Sequence, residues 1–212
     1  MNFELICFDC DSTLSKIEGI DELAKKAGMG AVMAKLTDAA MNGEVSLEAV
    51  YEKRLSLIRP EKTDIDWVAQ LYIEQIVDGV TETFAQLLAR GKDVHIISGG
   101  LLPAILPLAR LLGLSDDKVH AVDIYFNDDG SYRDFDQDCP LAKTGGKAQV
   151  CQQLAQSGQS LVMIGDGKTD MEAKQAGAYV IGFGGVADRA IVRELADVYV
   201  AEANLTAVLT HL

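Results

Sequence analysis

Two carboxylates one residue apart, Asp9 and Asp11, directly follow the apolar run Leu5–Phe8 near the start of the chain. If the extended backbone continues to them, both side chains point the same way. Carboxylates this close repel each other unless a cation lies between them or one of them keeps its proton. The pair therefore indicates a divalent cation on oxygen ligands, a shared proton, or both. The alternative is an acidic turn in which Ser12 or Thr13 caps a helix.

Two further motifs carry groups that could bind an anion. The first is Ser98-Gly99-Gly100, after one apolar run, and the second is Gly165-Asp166-Gly167-Lys168-Thr169-Asp170, after another. A serine followed by glycines lets backbone N–H groups approach an anion closely, much as the start of a helix does. Lys147, at a predicted helix start, adds a positive charge. Each motif alone is also compatible with a turn, so the prediction of a site rests on their combination.

These motifs need a fold that brings the ends of several strands together. Short apolar runs alternate with helical patterns, which predicts an α/β fold with a doubly wound (Rossmann-like) parallel sheet. Ligands bind outside the carboxyl ends of the strands in such a sheet. After the first strand, strands are predicted at 93–97, 119–126, 131–135, 160–164, 179–182 and 197–201, and helices at 79–90, 101–112, 147–156, 170–176 and 187–195.

One stretch of the chain shows no strand pattern. It extends from residue 15 to residue 75, and its periodicity predicts four helices, at 18–27, 33–41, 47–58 and 65–77. We therefore predict an α/β core of residues 1–14 and 76–212, with a small all-helical insertion of residues 15–75 after the first strand.

Composition limits the possible partners. The chain has 212 residues, of which 49% are hydrophobic, and a net charge of -13. A packed core is expected, and so acidic a chain disfavours nucleic acid as a partner, because phosphate backbones are held by clustered Lys and Arg. No apolar stretch reaches membrane-spanning length and Met1-Asn2-Phe3-Glu4 is not a basic leader, so we expect a cytoplasmic protein without a membrane partner. An anionic small-molecule substrate would need a local positive site.

The cysteines and histidines do not indicate a zinc or redox centre. Cys7 and Cys10 have C-x-x-C spacing but lie at the end of a strand, and Cys139 and Cys151 do not form a second close pair. The three histidines are scattered along the sequence and lack the spacing of metal ligands. We expect the cysteines to be reduced and structural.

In their order along the chain, these motifs resemble those of the haloacid dehalogenase superfamily of phosphotransferases. The match consists of Asp-x-Asp-Ser-Thr, Ser-Gly-Gly after a strand, a Lys, and Gly-Asp-Gly-x-Thr-Asp. It is closer to the branch that hydrolyses O-phosphoserine, the last step of serine biosynthesis. The similarity covers nearly the full length and includes Glu18-Gly19-Ile20-Asp21-Glu22-Leu23-Ala24, Ala40-Met41-Asn42-Gly43, Lys53-Arg54-Leu55-Ser56-Leu57-Ile58 and Ile181-Gly182-Phe183-Gly184-Gly185.

The resemblance implies roles for the acids. Asp9 would attack phosphorus to give an aspartyl-phosphate, and Asp11 would protonate the leaving oxygen and then activate water. Asp11 must hold a proton at the first step, so we expect neighbouring negative charge to raise its pKa. The cofactor of the superfamily is Mg²⁺, which would be held by the carboxylates of Asp9 and Asp166 and the backbone carbonyl of Asp11.

The resemblance also implies how O-phosphoserine would be held. The phosphate-binding positions match Ser98, Gly99, Gly100 and Lys147, while Thr169 and Asp170 would support the metal site or Lys147. The helical insertion would be a cap that closes over the site. In that cap Glu18 would meet the substrate ammonium, Arg54 would hold its carboxylate and Met41 would make an apolar contact.

Two alternatives stay open. Four residues depart from the usual pattern of the superfamily, namely Cys10, Leu47, Leu101 and Lys168. They leave the chemistry unchanged but affect the shape of the pocket. The first alternative is therefore a related phosphatase that acts on another small phosphoester, or a phosphotransferase that passes phosphate to an alcohol. The second is a receiver-like signalling module, which also surrounds a phospho-accepting Asp with a hydroxyl residue and a Lys. Receivers are shorter and carry that Asp at the third strand, which disfavours this reading. The sequence does not indicate an oligomeric state.

Overall fold

The computed structural model describes residues 3–41, 44, 46–155 and 159–212. Its strands are β1 (Leu5–Phe8), β2 (Asp93–Leu101), β3 (Val119–Val122), β4 (Ile124–Phe126), β5 (Tyr132–Phe135), β6 (Leu161–Gly165), β7 (Tyr179–Phe183) and β8 (Val198–Val200). Six of them form a parallel sheet in the order β3-β2-β1-β6-β7-β8. The chain winds from β1 through β2 and β3 in one direction and through β6, β7 and β8 in the other. This order confirms the predicted doubly wound sheet.

The central strands are covered on both faces. Every residue of β1 and β6 is buried, as expected for parallel strands with helices on either side. The helices that follow the insertion are α5 (Val80–Ala89), α6 (Leu102–Leu111), α7 (Gly146–Leu154), α8 (Lys168–Met171) and α9 (Ala190–Leu195). Phe8 of β1 packs on Phe84 of α5 with ring centroids 5.0 Å apart. In the described part of the chain, no helix has both the length and the apolar character needed to cross a membrane.

Four helices lie between β1 and α5, in the stretch for which the sequence predicts helices and no strand. They are α1 (Gly19–Lys26), α2 (Gly30–Met41), α3 (Leu47–Ile58) and α4 (Lys62–Glu74). The chain enters and leaves this segment at adjacent points, because Ser15 and Ile76 form an antiparallel bridge. Two backbone hydrogen bonds flank the bridge, from Lys16 N to Gln75 O at 2.8 Å and from Val77 N to Leu14 O at 2.9 Å. We call this paired stretch the neck.

Some predicted boundaries were wrong. The run 119–126 is two strands, because β3 joins the main sheet and, after Asp123, β4 pairs antiparallel with β5 in a separate hairpin. The fourth helix begins at Lys62 rather than Ile65, since the carboxylate of Asp64 accepts a hydrogen bond from Glu61 N at 2.8 Å and thereby caps an earlier turn. The helix predicted at 170–176 is the four-residue α8 followed by a 3₁₀ turn.

Candidate active site

The predicted motifs lie at the ends of three neighbouring strands. Because β1 lies between β2 and β6, Asp9, Ser98 and Asp166 come to one edge of the sheet, and all three are buried. One pocket there is lined by most of the predicted residues. These are Asp9, Asp11, Glu18, Arg54, Ser98, Gly99, Gly100, Lys147, Asp166 and Thr169.

The turn after β1 fixes the first carboxylate. Oδ1 of Asp9 accepts a hydrogen bond from the backbone N–H of Cys10 at 2.7 Å. Ser12 adopts a φ of 50°, in the left-handed region, and its hydroxyl donates to Glu18 Oε1 at 2.7 Å. The Thr13 hydroxyl donates a hydrogen bond to Asp166 Oδ1 at 3.3 Å. The alternative in which Ser12 or Thr13 caps a helix is therefore wrong, since α1 begins only at Gly19.

Asp11 is held by two donors from the helical insertion. Its Oδ1 accepts hydrogen bonds from Gly19 N at 2.6 Å and from the Tyr72 hydroxyl at 2.7 Å. Burial and then the charge of Asp9 raise the pKa of Asp11 to about 6, against the lowering effect of these two donors. The upward direction agrees with the sequence prediction, but burial contributes more than the neighbouring charge.

Tyr72 was not predicted as a site residue. It is buried in α4, and burial together with the charge of Asp11 holds the pKa of its phenol well above the ordinary value. It therefore keeps its proton and acts as a donor. A buried tyrosine hydroxyl usually needs a partner, but the sequence has no signal that would pair residue 72 with residue 11, because the two are 61 positions apart.

Three buried carboxylates could hold a metal ion. Asp9, Asp166 and Asp170 each offer an oxygen within 4.8 Å of the others. Burial and then the charge of Asp9 raise the pKa of Asp166 to about 7, so a cation among these acids would relieve a repulsion that the fold creates. The donor set consists of carboxylate oxygens, which fits a hard divalent cation. The cluster contains Asp170 instead of the Asp11 side chain, which is turned towards Gly19 and Tyr72.

Lys147 connects two of these acids. Its Nζ lies 2.9 Å from Asp9 Oδ1 and 2.5 Å from Asp170 Oδ1. Burial alone would lower the pKa of Lys147, but the carboxylates of Asp170 and Asp9 raise it well above the ordinary value, so the ammonium is charged. Asp170 also accepts from Gly167 N at 2.9 Å. A Cβ at Gly165 would lie 2.1 Å from the Asp170 carboxyl carbon, so only glycine permits this approach.

The Ser-Gly-Gly segment lies within β2 and not beyond its end, which corrects the predicted strand boundary. Pairing with β3 is irregular between Ile97 and Leu101, where this segment lies. Ser98 Oγ accepts a hydrogen bond from Gly100 N at 3.0 Å. A Cβ at Gly100 would lie 2.9 Å from Asp11 Oδ2. Glycine at this position therefore lets the strand pass close to the second carboxylate.

The helical insertion contributes two charged residues to the pocket. Burial and then the charge of Asp11 raise the pKa of Glu18 well above its ordinary value. Arg54, on α3, is buried with its guanidinium carbon 5.7 Å from the centroid of the Tyr51 ring. Met41 ends α2, but its side chain lies outside the described residues.

Arg189 and the pocket residue Lys143 were not predicted as site residues either. The Nε of Arg189 lies 3.2 Å from Asp166 Oδ2 and its terminal nitrogen 3.8 Å from Glu18 Oε1. Arg54, Lys143 and Lys147 line the pocket itself. These cations are the groups that could counter the charge of an anionic ligand on a chain with a net charge of -13.

The remaining predictions have mixed outcomes. The four cysteines are free thiols, as expected. His95 and His120 are far apart in sequence but lie in contact in the fold, with His95 Nδ1 2.9 Å from His120 Nε2. In the described residues the acidic cluster is the one group of three or more suitable side chains close enough to hold a metal. Leu101 is a buried pocket residue, Lys168 begins α8 and the side chain of Leu47 lies outside the described residues.

Fold and site together define an α/β enzyme of the phosphoryl-transfer type, with acids and cations at the switch point of a doubly wound sheet. A family model described as haloacid dehalogenase-like hydrolase matches residues 3–177, and the chain belongs to this family. It is 38% identical over 202 residues to a phosphoserine phosphatase of Drosophila melanogaster, covering 94% of this chain and 75% of the relative.

Two further similarities point the same way. The chain is 36% identical over 198 residues to a chloroplastic phosphoserine phosphatase of Arabidopsis thaliana, covering 92% of this chain and 67% of the relative. It also matches a solved structure described as a phospho-aspartyl intermediate analogue of phosphoserine phosphatase. The TM-score is 0.86 at 29% identity, with 100% of both chains covered.

Proposed function

We propose that this chain hydrolyses O-phosphoserine to serine and inorganic phosphate through an aspartyl-phosphate on Asp9, with Mg²⁺ as cofactor. The observation that carries the proposal is that one pocket contains two sets of groups. Asp9, Asp11 and Lys147 lie on the sheet side, while Glu18 and Arg54 come from the helical insertion. The first set suits phosphoryl transfer, and the second suits the ammonium and carboxylate of an amino acid.

In the first step, the phosphate lies against Ser98, the following glycines and the Lys147 ammonium. A carboxylate oxygen of Asp9 attacks phosphorus, and the bond to the serine oxygen breaks. Asp11 gives its proton to that oxygen, which leaves as the hydroxyl of serine. The pKa of about 6 keeps a useful protonated fraction of Asp11 near neutral pH.

In the second step, the roles of Asp11 reverse. Its carboxylate takes a proton from a water molecule, which attacks the phosphorus of the aspartyl-phosphate and regenerates the Asp9 carboxylate. Lys147 lies between Asp9 and Asp170, so its charge can stabilise the phosphoryl oxygens in both steps.

A divalent cation fits beside these groups. Mg²⁺ would be held by the carboxylates of Asp9 and Asp166 and by the backbone carbonyl of Asp11, with Asp170 next to them. When bound, it supplies positive charge that offsets the negative charge of the phosphoryl group and of the buried acids. Thr169, which lines the same pocket, and Asp170 would keep this part of the site in place.

We also propose that residues 15–75 act as a cap on a core of residues 1–14 and 76–212. Three contacts support a closed arrangement. Glu48 accepts from Thr144 N and Oγ1, both at 2.8 Å. Lys62 N donates to Gly130 O at 2.9 Å. Tyr51 packs on Phe135 with centroids 5.3 Å apart. All three join the insertion to loops or the hairpin of the core, away from the neck.

The proposal is tested by phosphate release from a matched panel in the presence of Mg²⁺. O-Phosphoserine is compared with phosphoethanolamine, which lacks the carboxylate, with 3-phospholactate, which lacks the ammonium, and with p-nitrophenyl phosphate. We expect kcat/KM to be highest for O-phosphoserine and to fall when either charged group is absent. A higher kcat/KM for a substrate without either group would contradict the substrate, whereas stoichiometric phosphorylation without turnover would indicate the receiver-like alternative.

A further inference from the structure

The orientation of the Asp11 carboxyl group is set by the helical insertion and not by the sheet that carries it. Oδ1 accepts two hydrogen bonds, from Gly19 N at 2.6 Å and from Tyr72 Oη at 2.7 Å. Oδ2 faces the phosphate-binding segment, where it would lie 2.9 Å from a Cβ at Gly100. The two oxygens of this carboxyl group therefore have different surroundings.

This difference decides which oxygen can exchange a proton. An oxygen that already accepts two hydrogen bonds cannot also carry a proton without losing one of them. Oδ1 is such an oxygen, so the proton of the neutral acid belongs on Oδ2. In the ionised form the same two donors occupy Oδ1, and Oδ2 keeps the lone pair that can take a proton from water.

We propose that Tyr72 is a positioning residue that makes Oδ2 the working oxygen of Asp11 in both steps of the reaction. This inference rests on the proposed function, because it assigns a role to Asp11 in that chemistry. The contact through which Tyr72 would act is its hydrogen bond to Asp11. Tyr72 acts through Asp11, by holding Oδ1 so that Oδ2 is directed at the leaving oxygen and later at water.

The local packing is arranged around this hydroxyl. A Cβ at Gly19 would lie 2.2 Å from Tyr72 Oη and 3.3 Å from Val68 Cγ1. Glycine at position 19 therefore leaves the space that the hydroxyl occupies and also supplies the second donor. Both donors lie four residues from the bridge in the neck, Gly19 after Ser15 and Tyr72 before Ile76. Rotation about the neck moves nearby atoms least, so Asp11 stays oriented when the outer part of the insertion moves.

The test compares Tyr72→Phe with wild type on two substrates that differ in their leaving group. O-Phosphoserine has a poor leaving group that needs the proton of Asp11, whereas the p-nitrophenolate of p-nitrophenyl phosphate leaves without one. Losing one hydrogen bond to an ionisable group should slow single-turnover cleavage of O-phosphoserine by about ten- to a hundredfold. The burst of p-nitrophenolate should stay within about threefold of wild type, and KM for O-phosphoserine should change little.

Two further variants separate positioning from packing. Gly19→Ala pushes the hydroxyl away instead of deleting it, so it should reproduce the selective loss on O-phosphoserine. Ile65→Val disturbs the packing of the same helix at a buried residue that does not line the pocket and leaves the hydroxyl, so any loss should be equal on both substrates. Unchanged cleavage of O-phosphoserine by Tyr72→Phe, or equal slowing of both substrates, would overturn the inference. If wild type itself does not hydrolyse O-phosphoserine, the proposed function fails, and this outcome is read independently of the variants.

Discussion

The Lys147 ammonium lies 2.9 Å from Oδ1 of Asp9, and both side chains are buried. A buried charge is costly unless it has a partner, so this lysine serves the proposed nucleophile as its ion-pair partner and also adds a positive charge for phosphate binding. The same ammonium also pairs with Asp170. One cation thus balances two carboxylates. Its removal should lower the stability of the fold and also the rate of phosphate release, and the two effects can be measured separately.

Lys147→Met should destabilise the metal-free protein and abolish phosphate release. Removing one partner of a buried ion pair costs about 3–5 kcal/mol, because the remaining charge is left uncompensated. The measurement is denaturant unfolding in excess chelator. The double variant Lys147→Met/Asp170→Asn should recover part of this stability, since it removes one uncompensated carboxylate, but it should stay inactive. If the double variant is less stable than Lys147→Met, the charge-balance explanation is wrong.

Asp9→Asn and Asp11→Asn should fail at different steps. An amide at position 9 is a poor nucleophile, so neither phosphate nor a phosphoenzyme should form. Asp11→Asn should form some phosphoenzyme from p-nitrophenyl phosphate and release it slowly, because the base that activates water is absent. Acid-quenched labelling with ³²P-phosphorylated substrate measures both. Rapid phosphate release by Asp11→Asn would show that another residue is the base.

Removal of divalent cations should abolish activity, and Mg²⁺ should restore it. Three buried carboxylates lie within 4.8 Å of one another, so a bound cation should also raise the melting temperature of the inactive Asp9→Asn variant less than that of wild type. Ca²⁺ should inhibit, because its larger and looser coordination shell can occupy both oxygens of Asp9. Full turnover in excess chelator would contradict the metal site.

Arg54→Ala should reduce kcat/KM for O-phosphoserine by about ten- to several-hundredfold, since a charged hydrogen bond contributes roughly 1.5 to 3 kcal/mol. The matched control is phosphoethanolamine, which lacks the carboxylate that Arg54 would hold and should lose much less. Glu18→Gln should likewise lose much of the kcat/KM for O-phosphoserine. It should lose little of the kcat/KM for 3-phospholactate, which lacks the ammonium that Glu18 would meet. Equal losses on all substrates would mean that these residues support only the structure of the insertion.

The His95–His120 pair should make the fold sensitive to acid. Burial and then the charge of His95 lower the pKa of His120 to about 4. Asp93, Asp117 and Lys118 are the other charged groups that act on the pair. The folded protein favours neutral His120, so this stability is fully present above the unfolded pKa of about 6.5 and is lost as the pH falls towards 4.

The matched comparison for this prediction is His120→Gln. Denaturant unfolding at pH 7 and pH 5 should show a larger loss of stability for wild type than for the variant. Equal losses would mean that carboxylates elsewhere account for the acid sensitivity. The comparison concerns the free energy of unfolding and not activity, because neither histidine lines the candidate pocket.

The sheet and its motifs could be predicted because their signals are local. The apolar run before Asp9 and the glycines around Ser98 and Asp166 are contiguous in sequence, and parallel topology brings such strand ends together. Tyr72 and Arg189 could not be predicted, because their role comes from long-range contacts that no spacing rule describes. The pairing of His95 with His120 was missed for the same reason, since it depends on the alignment of β2 with β3.

The neck has a consequence for how such a chain can change over evolution. Leu14 and Val77 are joined by a 2.9 Å backbone hydrogen bond, so the whole insertion could be exchanged for another without moving β1 or α5. Selection could then alter the molecule that is recognised while the sheet keeps its chemistry. An exchanged segment would, however, have to bring its own partners for Oδ1 of Asp11, because Gly19 and Tyr72 both belong to the part that is replaced.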